Sequence, residues 1–102
     1  RTEVKKLVEE SIGLGVPLFN SGRFEACASA YRMALRSLQL LAPDSIPAQG
    51  VKEALERAAG EDAEQGAWTL RYSLDEVYRM SGSKRGMQMQ AVPFALEFDQ
   101  SD

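Results

Sequence analysis

Histidine is absent from the 102 residues and cysteine occurs once, so the side chains able to do chemistry are few. Zinc sites of the Cys/His kind, histidine-activated nucleophiles and imidazole acid–base work at neutral pH are all excluded. Cys27 offers a thiol, but it sits in the middle of a helical apolar stripe. No helix N-terminus is there to lower its pKa, so it reads as a buried structural residue. Asp75-Glu76 and the group Glu61, Asp62 and Glu64 are the acidic clusters with the potential to hold a hard cation. Neither has the ligand spacing of a calcium loop, and a solvated helix face and a helix cap account for them. Gly13 and Gly15 form a GxG followed by Val16-Pro17-Leu18. Without a strand before it, this is a place for two helices to approach rather than a phosphate loop. No nucleophile–base pair can be assembled, so neither catalysis nor a cofactor is expected.

Charge narrows the partners. The net charge of −3 argues against nucleic acid, which rewards a concentrated basic surface. Lys5-Lys6 and Lys84-Arg85 are the basic clusters, each diluted by acids or glycines. No run of about 18 apolar residues is present to span a bilayer; membrane association would have to come peripherally, through a partner. A single cysteine leaves no internal disulfide and fits a reducing compartment.

The elements that must position these residues follow from periodicity. Val4, Leu7, Val8, Ile12, Gly15, Leu18 and Phe19 recur at helical spacing, although Pro17 predicts a kink or break near residues 13–16. Asn20-Ser21-Gly22 is a turn. Phe24, Cys27, Ala28, Tyr31, Ala34, Leu35 and Leu38 form the cleanest stripe, on a helix that stops near Leu41, before Pro43. Asp44-Ser45-Ile46-Pro47 predicts a loop and a helix start with a polar cap. Val51, Ala54, Leu55, Ala58 and Ala59 give a third helix ended by Gly60. Asp62 and Gln65 suggest a capping box. A fourth helix carries Ala63, Ala67, Leu70, Leu74, Val77 and Tyr78, closing near Ser81-Gly82. The expectation is an all-α fold of two consecutive helical hairpins over residues 1–82, then an extended C-terminal tail over residues 83–102.

The segment GVPLFNSGRFEACASAYRMAL, residues 15–35, resembles a tetratricopeptide repeat. Gly15 stands at the small position of the first helix and Leu18 at a large one. Gly22 and Phe24 match the turn glycine and the aromatic two residues on. Cys27 takes the small position usual for alanine, and Tyr31 is the aromatic of the second helix, followed by Ala34. The resemblance implies close helix axes with aromatics filling the space between, and a protein-binding role. Pro17 and Pro43 depart from the pattern, and residues 48–80 match it poorly. The same phrase is similar to helical hairpins of cyanobacterial and algal proteins, which implies a plastid setting, stromal or thylakoid-associated.

Two features point to partners. Trp68, Tyr72 and Arg79 project away from the core stripe of the fourth helix by about 100–140°, at about 100° per residue. They must cover either the chain's own first hairpin or tail, or another protein; aromatics and arginine are typical interface anchors. In the tail, Val92, Phe94, Leu96 and Phe98 alternate with Pro93, Ala95, Glu97 and Asp99, an extended apolar arm with no strand to pair with. Met80, Met87 and Met89 lie near it and offer adaptable contact surface. The function expected is a non-catalytic protein-interaction or scaffold module, a peripheral subunit or assembly factor of a larger complex. The alternative is an accessory protein packed against a pigment or small ligand.

Overall fold

The computed structural model describes residues 2–82. They form α1 (Thr2–Asn20), α2 (Phe24–Leu41), α3 (Ala48–Ala59) and α4 (Ala63–Gly82), with a 3₁₀ turn at Pro43–Ser45 and no strand among the described residues. The all-α expectation holds. The expected arm with Val92, Phe94, Leu96 and Phe98, like Met87 and Met89, lies outside the described residues.

Each stripe becomes a buried face. Val4, Val8, Ile12, Gly15 and Phe19 of α1 are buried, with Ser11 beside them. The Ser11 hydroxyl donates to the Val8 carbonyl at 2.9 Å, which satisfies it within its own helix. Of the kink or break expected near residues 13–16, the break does not occur: α1 continues through Pro17. Both Gly13 and Pro17 are exposed, so the Gly13 carbonyl that loses its partner faces water.

The α1–α2 connection is tight. The Gly22 N–H donates to the Phe19 carbonyl at 2.9 Å and the Arg23 N–H to the Leu18 carbonyl at 2.8 Å. This is the Schellman pair of bonds, and it requires a left-handed residue at Gly22, whose φ is 85°. Farther along, the polar cap expected from Asp44 and Ser45 is not formed. Pro47 occupies the N-cap of α3 without a side-chain bond, because the 3₁₀ turn absorbs those polar residues. At α4 the cap is real: Asp62 Oδ1 accepts the Gln65 N–H at 2.8 Å.

The packing order is not a simple sequence of neighbours. α1, α2 and α4 pack against one another, while α3 packs mainly on α4 with a small contact to α2. α4 therefore runs beside the first hairpin, antiparallel to α1, with Trp68 near Phe19 and Tyr78 near Glu9. The core holds Val8, Tyr31, Leu35, Leu70, Leu74 and Val77, all fully buried, and Val51 closes it from α3.

Glycines in α1 supply a direct test. A Cβ at Gly15 would overlap the ring of Tyr31, whereas one at Gly13 meets nothing within 4 Å. Gly15→Ala is expected to lower stability by about 1–3 kcal/mol through overpacking. Gly13→Ala, two residues away, is expected to raise it by about 0.5–1 kcal/mol through helix propensity. Urea melts of the two variants check this; a Gly15→Ala melt equal to wild type would refute the close approach.

Candidate functional site: a buried polar cluster and an exposed aromatic ridge

Tyr31 fills the gap left by Gly15, and its hydroxyl is thereby carried into the middle of the three-helix core. A phenol there needs polar company. Cys27, one turn earlier on α2, and Arg71 of α4 supply it. Arg71 is only 2% exposed, a rare position for an arginine. Its Nε donates to Asp75 Oδ1 at 3.1 Å, and the Asp75 side chain is 36% exposed, so the ion pair leads from the core to solvent. Breaking such a pair by removing one partner is costly, because the other charge stays buried.

The cluster has little appetite for chemistry. Cys27 lies in the first turn of α2 rather than mid-helix as expected, yet burial pushes its thiol up, only partly opposed by its hydrogen bond with Tyr31 and the positive charge of Arg71. Burial likewise pushes the Tyr31 phenol far up, reinforced by Cys27 and opposed by Arg71. Both stay protonated at neutral pH, and both are fully buried. The thiolate that a nucleophile or metal ligand requires is therefore disfavoured.

The acidic residues mostly have structural duties. Asp75 pairs with Arg71, and Asp62 caps α4. Glu61 accepts the Thr69 hydroxyl at 2.6 Å and lies 3.5 Å from Arg57. Glu64 and Glu76 are exposed. Glu9 accepts the Tyr78 hydroxyl at 2.7 Å, and Lys5 sits 4.9 Å from the centre of that ring.

Of the predicted partner-binding residues, the structure brings Trp68 and Tyr72 together. Phe24, Phe19, Trp68 and Tyr72 form a run of rings with successive centroids 4.8, 5.8 and 5.4 Å apart. Trp68 thus covers Phe19 of the first hairpin, and half its purpose is internal. Tyr72, at the end of the run, is 62% exposed. It edges a groove of about 410 Å³ between α3 and α4, with Ala54, Arg57, Thr69 and Glu76 among the lining residues. Arg79 is also exposed, two turns beyond Tyr72 on the same side of α4. Among the structural residues, Gly15, Cys27, Tyr31 and Ala34 are buried, Phe24 is half-buried, and Gly22 is the exposed turn.

Arg71 escaped the sequence analysis. Its signal was an arginine wedged between Leu70 and Leu74 with an acid four residues on, a spacing suited to an ion pair along one helix. No helix among the described residues is long and apolar enough to cross a membrane.

Ionisation of the cluster has a definite sign. Cys27 and Tyr31 have folded pKa values above their ordinary 9.0 and 10.0, and Tyr78 is pushed up to about 12 by burial and by Glu9. The unfolded chain therefore loses protons first as pH rises, and stability falls. The melting temperature is expected to hold steady below pH 8 and decline through about pH 9–11. Cys27→Ala should remove the earliest part of that decline. A flat alkaline profile would contradict the buried, protonated cluster.

Comparison with known proteins returns no match: no protein family fits the chain, and no curated protein or solved structure is significantly similar to it.

Proposed function

We propose that this domain is a non-catalytic protein-interaction module, a peripheral subunit or assembly factor of a larger complex. The observation that carries this reading is Tyr72. A tyrosine 62% exposed, held in place by stacking on Trp68, is a pre-positioned anchor. Its rotamer freedom is already restricted, so little remains to be lost on binding. Arg79 on the same side and the α3–α4 groove beside it complete a surface of mixed polar and apolar character, the composition of a non-obligate interface. The buried, protonated state of Cys27 and Tyr31 supports the absence of catalysis.

The resemblance of residues 15–35 to a tetratricopeptide hairpin supports the same class of function, since the complementarity of Gly15 and Tyr31 is the packing such hairpins use. A thylakoid-associated setting rests on the resemblance alone and forms the specific version of the proposal.

Affinity capture from plastid-containing tissue, with tagged wild type beside Tyr72→Ala and Arg79→Ala, tests it. Truncation of the surface side chains should leave the melting temperature within about 2 °C, since substitutions at exposed sites are usually small in effect. Recovery of the co-eluting chain should fall at least about tenfold for Tyr72→Ala, the loss typical of an aromatic anchor. Undiminished capture by both variants would remove the ridge from consideration.

A further inference from the structure

The outside of the α1–α2 hairpin is more apolar than a free surface has reason to be. Of the six large exposed hydrophobic residues among the described residues, four are there: Leu14 at 64%, Met33 at 66%, Leu40 at 81% and Leu41 at 80%. Contacts fix which way they face. Lys5 and Glu9 mark the side of α1 that meets α4, through Tyr78. At about 100° per residue, Leu7, Leu14 and Leu18 fall on the opposite side. On α2, Ala28 and Arg32 edge the cleft shared with the ends of α3 and α4. Ala30, Met33, Ser37 and Leu40 lie on the flank turned away from it. Both sets therefore belong to one surface, the face of the hairpin opposite α4.

That face has an order of its own. Along α2, Ala26, Ala30, Met33, Ser37 and Leu40 are separated by four, three, four and three residues, the spacing of a coiled-coil seam. Ser37 is no polar interruption, because its hydroxyl donates to the Met33 carbonyl at 2.8 Å. Two helices about 10 Å apart and about 25 Å long present on the order of 500 Å². Doubled across a two-fold axis this gives on the order of 1,000 Å², the threshold of a specific interface.

Charge selects the occupant and its orientation. Gly15 lies against Tyr31, and α1 and α2 are antiparallel. Five residues back along α1 and five forward along α2, Glu10 and Arg36 stand level with one another, both exposed. Helical geometry puts Glu10 on the outer rim of α1 and Arg36 on the outer rim of α2. A second copy turned about an axis parallel to the helices brings its α2 over α1, keeps every residue at its own level, and sets each Glu10 beside the other copy's Arg36. Turning about the perpendicular in-plane axis instead lays α1 on α1 and α2 on α2, which leaves each Glu10 on the opposite rim from the other copy's Arg36. We propose that the outward face of the α1–α2 hairpin is the self-association surface of this protein, forming a two-fold dimer with α1 of each copy packed on α2 of the other and Glu10 paired with Arg36 twice.

Sedimentation equilibrium of the full chain over micromolar to millimolar concentration tests this, with circular dichroism melts to verify folding. A concentration-dependent dimer is expected for the wild type. Met33→Glu and Leu14→Glu, both at exposed sites, should leave the melt at low concentration unchanged and abolish the dimer. Glu10→Arg and Arg36→Glu should each weaken it about threefold or more, and the double exchange should restore it. Tyr72→Ala should leave dimerisation intact, which separates this surface from the α4 ridge. A wild-type monomer at the highest concentration overturns the proposal. So does a dimer insensitive to Met33→Glu and Leu14→Glu, or one that the double exchange fails to restore. A chain that dimerises only after truncation at Gly86 assigns the face to its own C-terminal residues, and that too overturns it.

Discussion

The approach of α1 to α2 at Gly15 governs much of what surrounds it. Tyr31 occupies space that any side chain at position 15 would take, and the ring is consequently fully buried. A ring driven that deep carries its hydroxyl with it, and an unsatisfied hydroxyl in such a place costs about 1–3 kcal/mol. The polar neighbours Cys27 and Arg71 are the response to that requirement. Arg71 in turn imports a charge whose burial is tolerable only beside an acid, which Asp75 provides at 3.1 Å. One missing methyl group on α1 thus propagates to a salt bridge on α4. It also fixes register, because α4 cannot slide along the hairpin without separating Arg71 from Tyr31.

That tie explains why α4 lies against the first hairpin while α3 stays at the side. α4 contributes Ala67, Leu70, Leu74 and Val77 to the core; α3 contributes Val51 and Ala58. With about 0.8 kcal/mol per buried methylene, the difference in anchoring is several kcal/mol in favour of α4. α3 is also capped at its start by Pro47 without a side-chain bond, and it is the helix least fastened to the rest. Its opening would uncover the far wall of the groove that Tyr72 edges, so local stability and the shape of the candidate binding surface are linked through the same element.

How much of this was legible in the sequence depends on whether the cause was local. The stripe Phe24 to Leu38 and the turn at Gly22 were legible because periodicity and a left-handed glycine leave a mark on neighbouring residues. The pairing of Gly15 with Tyr31 was legible only through a resemblance, since nothing within either helix announces its partner. Arg71 was hidden because a charged residue beside an apolar stripe looks like a solvated one until the acid four residues later is weighed with it. Pro17 misled for the opposite reason. The rule for proline inside a helix is strong, but its cost falls when the carbonyl it orphans faces water. The hairpin's outward face went unread because Met33 and Leu40 do not belong to the main stripe, and a second seam shows only when the first has been assigned to the core.

The two surfaces outside the core differ in what they can sustain alone. The α4 ridge offers one exposed tyrosine, one arginine and a shallow groove, and contacts of that extent sit at the weak end of specific interfaces. The hairpin face points away from it, so a two-fold dimer through that face leaves both ridges uncovered and related by the same axis. A partner with two matching elements then binds the second ridge at the effective concentration set by the first, which multiplies affinity by about 10²–10⁴ without any new contact. A domain with a modest anchor is in this way better suited to a repeated or symmetric partner than to a solitary one. The physical demand on the interface between copies is correspondingly small: it must hold two ridges in a fixed relation, and an apolar seam flanked by two ion pairs is sufficient for that.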